Sequence, residues 1–240
     1  MKNATSLGLP AGRHIWHQLG QSAWHAVCTV IVAALAATAF GTVSPAIAAP
    51  PATVKLPPPQ TDGGKPLMQA LKQRHTSREF KSKQLPQQIL SNLLWAAFGV
   101  NRPGSGGRTA PSAHDAQDID VYVVTAQGTY RYEARAHSLI GVRTGDLRAL
   151  TGIQDFVKDA PVNLVYVADF SRFPRDSDAD KIFYSAADAG HISENVYLYG
   201  ASENLAVMVR AYIDKPALAK ALGFNAQQRI VLAQSIGYPK

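Results

Sequence analysis

An α+β domain is the architecture this sequence predicts, and three observations carry the prediction. Segments with strand periodicity and segments with helical periodicity follow one another without regular alternation. The strands are too few for a doubly wound parallel sheet. At 240 residues, with 46% hydrophobic and 17% charged, the chain can bury one sizeable core and does not call for two.

The first 49 residues read as an export leader. They hold Lys2 and Arg13 and no acid, then the 15-residue apolar run Ala26 to Phe40, then small residues around Ala46-Ile47-Ala48. That triplet fits a small-x-small cleavage site, and the apolar run is short of the roughly 20 residues that span a bilayer. Cleavage near Ala48 and a periplasmic location are expected, with membrane attachment through an uncleaved leader as the alternative. No paired arginines precede the apolar run, so no twin-arginine signal is visible. Cys28, the only cysteine, lies in the leader, leaving the mature chain without disulfide or thiol chemistry. The formal charge is +7. Beyond the leader the basic excess is mild and runs together only at Arg74–Lys83, which gives nucleic-acid binding little support.

Residues 50–64 are rich in proline and small polar residues around Pro57-Pro58-Pro59, and read as a stiff, extended linker. The domain is then expected over 65–240. It opens with an amphipathic helical run from Lys65 to Lys72, with Leu67, Met68 and Leu71 at helical spacing. Arg74-His75-Thr76-Ser77-Arg78-Glu79-Phe80 follows, offering two guanidinium groups, an imidazole and two hydroxyls. Such a set suits phosphate oxygens, and a solvated basic turn is the plainer alternative.

Pro86 sits for the first turn of a second helix, whose buried face is marked by Ile89, Leu90, Leu93, Leu94, Ala97 and Phe98. A glycine- and proline-rich loop runs from Gly99 to Ala113. Ile119–Val124 is a strand, turned by Gly128 into Thr129–Tyr132. Asp146 to Phe156 is helical in pattern, and Val162 to Val167 is a buried strand. The longest helix is expected from about Asp178 to Val209. Its small residues Ala186, Ala187, Ala189, Gly190 and Ala201 suit close packing, either inside one core or against a second subunit. Pro216 to Leu222 is a short helix ended by Gly223, and Arg229 to Ile236 is the last strand. No internal repeat is found.

Two further segments stand in register with the basic cluster. One is Ala110-Pro111-Ser112-Ala113-His114-Asp115-Ala116-Gln117, leading into a strand. The other runs from Asp188-Ala189-Gly190-His191 through Asn195 and Ala201-Ser202-Glu203-Asn204-Leu205 to Val209-Arg210-Ala211-Tyr212. With Arg74–Phe80, in this order and spacing, the chain resembles the nitroreductase family of FMN-dependent oxidoreductases over about Lys65 to Lys240. It looks closest to the SagB-type, or thiazole-forming dehydrogenase, branch.

The resemblance implies a central, mostly antiparallel sheet flanked by helices, and a homodimer with FMN at its interface. Arg74 and Thr76 would hold the phosphate, and His75 would lie against the ribityl chain or ring edge. Arg78 would face the pyrimidine N1/O2 region, where a cation favours the reduced flavin. Pro111, Ser112, Ala113 and Gln117 would reach the flavin of the partner subunit, with Asp115 standing where the family usually has Asn. Arg210 and Ala211 fall where backbone N–H groups usually approach flavin N5, and Arg210 would narrow the pocket or recruit an acidic substrate. Asn204-Leu205-Ala206 replaces the usual Gly-Leu-Gly. Lys240 would be the C-terminal basic residue at the phosphate.

The implied chemistry is hydride transfer through flavin N5 in two half-reactions, to or from a small organic substrate, with NAD(P)H as a candidate donor. Oxidation of an azoline ring in a peptide is one alternative, and a flavin-binding protein with little turnover is another. No side chain is expected to act as the catalytic group. His114 is read as a substrate contact or a solvated loop residue, and His191 as a structural group on its helix. Neither histidine has partners at metal-ligand spacing, so no metal site is expected. Ser112 lacks a nucleophile-elbow pattern, which disfavours hydrolysis.

Overall fold

A computed structural model describes residues 49–240. The expected leader, its cleavage triplet and Cys28 lie outside the described residues, Ala49 alone excepted. Ten strands and four α-helices follow in the order β1 (Val54–Lys55), α1 (Leu67–Gln73), β2 (Phe80–Lys81), α2 (Gln87–Phe98), β3 (Val100–Arg102), β4 (Gly107–Arg108), β5 (Ile119–Val124), β6 (Gly128–Glu133), β7 (Ser138–Thr144), β8 (Val162–Asp169), α3 (Asp178–Ser202), β9 (Ala206–Arg210), α4 (Lys215–Leu222) and β10 (Gln228–Pro239). The main sheet runs β1-β7-β6-β5-β8-β10-β2, with β9 also paired to β10, and each of its pairings is antiparallel. The fold is α+β, as expected.

The central strands bury both faces, and their alternation divides the core in two. Val121, Val123, Leu164 and Tyr166 face α2 and α3, while Tyr122, Val124, Val165 and Val167 face Leu218 and Leu222 of α4. The expected apolar face of α2 is the one buried, through Leu93, Leu94, Ala97 and Phe98. The α3 helix is capped by Ser177, whose side chain accepts from Asp180 N, and it carries Asp178 and Asp180 in the first turn, where the helix dipole favours them. Its buried stripe is Ser185, Asp188, Ala189, Ile192, Ser193, Val196, Tyr197 and Gly200. Gly200 matters sterically: a Cβ there would stand 2.4 Å from Val207 Cγ2, so glycine lets β9 close against the helix.

Four expectations are corrected. The long helix ends at Ser202 rather than near Val209. Asn204 takes a left-handed φ of 55°, and the β-branched sequence after it pairs with β10 as a strand. The stretch Asp146–Phe156 forms two separate 3-10 turns, Arg148–Thr151 and Asp155–Lys158, broken by extended Gly152. Leu67, Met68 and Leu71 lie on the open side of α1, exposed by 61%, 75% and 44%.

The fourth correction concerns residues 50–64. They are extended, as their prolines require, but they do not hang free. Val54–Lys55 adds a strand to the edge of β7, Leu56 enters the core at 3% exposure, and Pro57 O accepts from Ser91 Oγ at 2.6 Å. Lys65 then places its ammonium on Ala201 O at 2.9 Å and Asn204 Oδ1 at 2.7 Å, at the C-terminal end of α3. The packed domain therefore starts upstream of Lys65. Among the described residues, no helix is long and apolar enough to cross a membrane.

Candidate functional site

The basic cluster emerges at the end of α1 and is fixed by three neighbours. Ser77 N donates to Val207 O of β9 at 3.0 Å. Phe80 and Lys81 pair with Pro239 and Tyr238 at the end of β10, which brings Lys240 to the same edge. Tyr197 of α3 supplies the third tie. Its hydroxyl accepts from Val209 N at 3.0 Å and lies 3.0 Å from Thr76 Oγ1, and the Arg74 guanidinium stacks 5.3 Å from its ring centre.

The remaining side chains of the cluster stay open. His75 donates from Nδ1 to Gln73 O at 2.8 Å, and its ring is exposed. Thr76, Arg78 and Lys240 are exposed and Arg74 is half-buried. Among the described residues, neither Arg74, Arg78 nor Lys240 is ion-paired to a carboxylate. A cavity of about 170 Å³ beside them is lined by His75, Ser77, Tyr197, Asn204, Val207 and Pro239 among others. A second hollow, lined by Phe80, Lys81, Ser82, Asp159 and Lys240, adjoins the C-terminus.

This donor set fits the phosphate end of FMN, with fixed hydroxyl and guanidinium groups whose charge no acid cancels. The cavity itself is below the roughly 300 Å³ at which ligand pockets begin.

The Pro111–Gln117 segment lies elsewhere. Ala113 N donates to both carboxylate oxygens of Asp188 at 2.9 and 3.2 Å. Asp188 precedes Tyr197 by nine residues on one continuous helix, about 14 Å along the axis at 1.5 Å per residue. Within the segment, Ser112 Oγ accepts from Gln117 N at 2.8 Å, and Gln117 Oε1 accepts from Arg108 Nε at 2.8 Å. Gln117 Nε2 donates to Asp115 Oδ1 at 3.2 Å. His114, Asp115 and Gln117 have φ of 53°, 54° and 48°, a left-handed conformation that Asp tolerates better than most residues. Pro111, His114 and Asp115 are exposed. His114 lies 3.8 Å from Asp176 and edge-on to Tyr184. His191 lies 3.9 Å from Asp188 on the same helix.

The expected side-chain role of Arg210 is corrected. Its side chain turns into the core at 4% exposure. There it donates to Thr151 O at 3.1 Å, Thr151 Oγ1 at 2.7 Å, Ser235 Oγ at 2.7 Å and Asn163 Oδ1 at 2.9 Å. Burial without a carboxylate partner lowers its pKa to about 10. It neither narrows a pocket nor meets solvent, because β9 points it inward. Its neighbour Ala211 is exposed just beyond the strand.

Sequence reasoning missed Tyr197, whose signal was only a large polar-tipped aromatic in the buried stripe of α3. It also missed Asp118, a buried acid just before a strand, and named Asp188 without its buried role. Among the described residues, no cluster of three or more His, Cys, Asp or Glu could hold a metal.

Comparisons with known proteins bear on the family and the fold. The profile of the Nitroreductase family matches residues 71–238. A protein of Methanocaldococcus jannaschii named as a nitroreductase is 31% identical over 159 residues, 62% of this chain and 80% of its own. A solved Ralstonia eutropha chain described as a nitroreductase is 43% identical, with a TM-score of 0.76, covering 79% of this chain and 90% of that one. A Desulfovibrio desulfuricans chain, solved in complex with FMN, shares the fold at a TM-score of 0.53 and 19% identity, over 74% and 88% of the two chains.

Proposed function

The chain belongs to the nitroreductase family, and from that premise we propose that it is an FMN-dependent oxidoreductase acting as a homodimer. The observation that carries the reading is the pair of guanidinium groups, Arg74 and Arg78, without acid partners among the described residues, around a Thr76 that Tyr197 holds in place. Arg74, Thr76 and Lys240 would bind the phosphate, and Tyr197 orients both of the first two. His75 would sit against the ribityl chain or ring edge. Arg78, free at the surface, would place its charge by the pyrimidine edge. FMN, when bound, supplies hydride acceptance and donation. The protein contributes binding, orientation and electrostatics.

Two observations support the dimer. The Pro111–Gln117 segment and the basic cluster sit at different levels of α3, an offset compatible with each meeting a different flavin of a dimer. Leu67 and Met68 of α1 and Ile182 and Phe183 of α3 also present apolar surface, each more than 60% exposed, of the kind an obligate interface covers. Pro111, Ser112, Ala113 and Gln117 of one subunit would then meet the flavin of the other. Ala211 and His114 would lie toward the substrate side.

NAD(P)H is proposed as donor and a small organic molecule as acceptor. The finer placement in the SagB-type branch, with an azoline-bearing peptide as substrate, makes the opposite demand: electrons must leave the flavin to an outside acceptor. The test is anaerobic. A yellow preparation bleached by NADH or NADPH and recoloured by a nitroaromatic or quinone supports the reductase. Bleaching by an azoline peptide alone would favour the dehydrogenase, and a colourless preparation that takes up no FMN would refute both. Export with cleavage near Ala48 is proposed from the leader pattern. A chain that starts at Met1 in the cytoplasm of its host would contradict it.

A further inference from the structure

The Asp118 carboxyl is wholly buried, and its Oδ1 has no hydrogen-bond partner among the described residues. Its Oδ2 accepts from Ser185 Oγ at 2.7 Å. Asp188, 2% exposed, stands three residues along α3 from Ser185 in the same buried stripe and also takes the Ala113 N–H. An unpartnered buried carboxylate oxygen has nothing to accept from, and two like charges buried this close on neighbouring elements repel in a weakly screened site. A proton on Asp118 removes both difficulties at once, because Oδ1 becomes a donor to Asp188.

We propose that Asp118 keeps its proton and donates it to Asp188, and that this bond is the catch that holds the Pro111–Gln117 segment in its left-handed form. Three non-glycine residues in that segment sit at φ near 50°, a conformation that persists only where its surroundings over-determine it. Ser112 supports the segment from within, while Arg108 and Arg172 reach Gln117 from outside. The Ala113 N–H ties it to α3, and Asp188 is the acceptor. Ionising Asp118 would set two buried charges against each other and turn Asp188 away from Ala113.

The other charged groups facing the pair do not offset this. Arg172 is engaged by Asp120 at 2.8 Å and Asp169 at 3.6 Å. His191 approaches Asp188 only at 3.9 Å, with a half-exposed ring. His114 faces Asp176, and Asp115 points to Gln117. Burial, and then Asp188, push Asp118 up to about 7 from 3.8, against the Ser185 hydrogen bond. A carboxyl raised on closure stabilises the closed form fully below about 4 and loses that contribution as pH rises through 7. Both aspartates act as positioning residues. The bearing on flavin binding rests on the proposed function, but the catch is read from the loop alone.

The test is residue-resolved amide exchange of the full chain between pH 5 and 7, corrected for intrinsic rates. Protection of the Ala113 amide should fall about tenfold per pH unit. In Asp118→Asn, whose amide donates at every pH, it should stay flat. Should that variant not fold, Asp188→Asn, which keeps an acceptor for Ala113 and removes the neighbouring charge while Asp118 stays buried, should make the slope shallower. Protection independent of pH in the wild type, a slope that persists in Asp118→Asn, or one that Asp188→Asn leaves undiminished, overturns the proposal.

Discussion

The Tyr197 hydroxyl lies 3.0 Å from Thr76 Oγ1 while accepting the Val209 N–H at the same distance, so one side chain of α3 joins the basic cluster to β9. Tyr197→Phe removes that junction and leaves a half-buried N–H unpaired. The expected cost is about 1–3 kcal/mol, read by urea unfolding, with a several-fold loss of FMN affinity. A variant that unfolds as wild type does would mean that the cluster is held by other contacts.

Arg210→Met should destabilise the fold by about 3 kcal/mol or more, since Thr151, Asn163 and Ser235 lose the cation they surround. Arg210→Lys should recover little, because an ammonium cannot reproduce the guanidinium fork. Thermal unfolding checks both. Altered substrate selection with an unchanged Tm would restore Arg210 to the pocket.

The 50–64 segment should behave as part of the domain. Leu56→Ala is expected to cost about 2–5 kcal/mol, as for a buried leucine. His137 beneath it lies 2.9 Å from the Tyr132 hydroxyl at Nδ1 and 2.7 Å from Ser91 Oγ at Nε2, and burial holds its pKa below 6.5. A base lowered on folding stabilises above the unfolded value and loses that contribution as pH falls below about 6.5. Acid should therefore loosen this segment, opposite in sign to Asp118. Limited proteolysis between Ala52 and Gly64 at pH 5 and pH 7.5 would show it, and equal cleavage at both would contradict it.

Met68→Lys with Phe183→Asp should convert a dimer to a monomer at micromolar concentration in sedimentation, and should weaken FMN binding with it. A wild-type domain that is monomeric and flavin-loaded would refute the shared site.

The readable parts of this chain were those where local pattern and tertiary role coincide. Val162–Val167 is apolar and β-branched because it is buried on both faces. The face of α2 is continuous because α3 and the sheet enclose it in one core, and Gly223 ends α4 with the φ of 72° that glycine permits. The failures share a cause in long-range partners. Leu56 reads as one apolar residue among prolines until β7 and α2 enclose it. Val207 and Val209 continue a helical pattern until β10 pairs with them. Arg210 looks like a site residue because a buried cation satisfied by neutral oxygens has no signature in sequence. At the candidate site the basic run could be picked out as a unit, and its fastening to Tyr197 could not.

The most direct measurement is flavin titration of Arg74→Ala against wild type, with FMN and riboflavin side by side. If Arg74 grips the phosphate, its loss removes a charge-assisted bond of about 1.5–3 kcal/mol, and FMN affinity should fall about ten- to hundredfold. Riboflavin, lacking the phosphate, should bind both proteins alike. Arg74→Ala binding FMN as tightly as wild type would reduce the cluster to a solvated turn and contradict the flavin assignment.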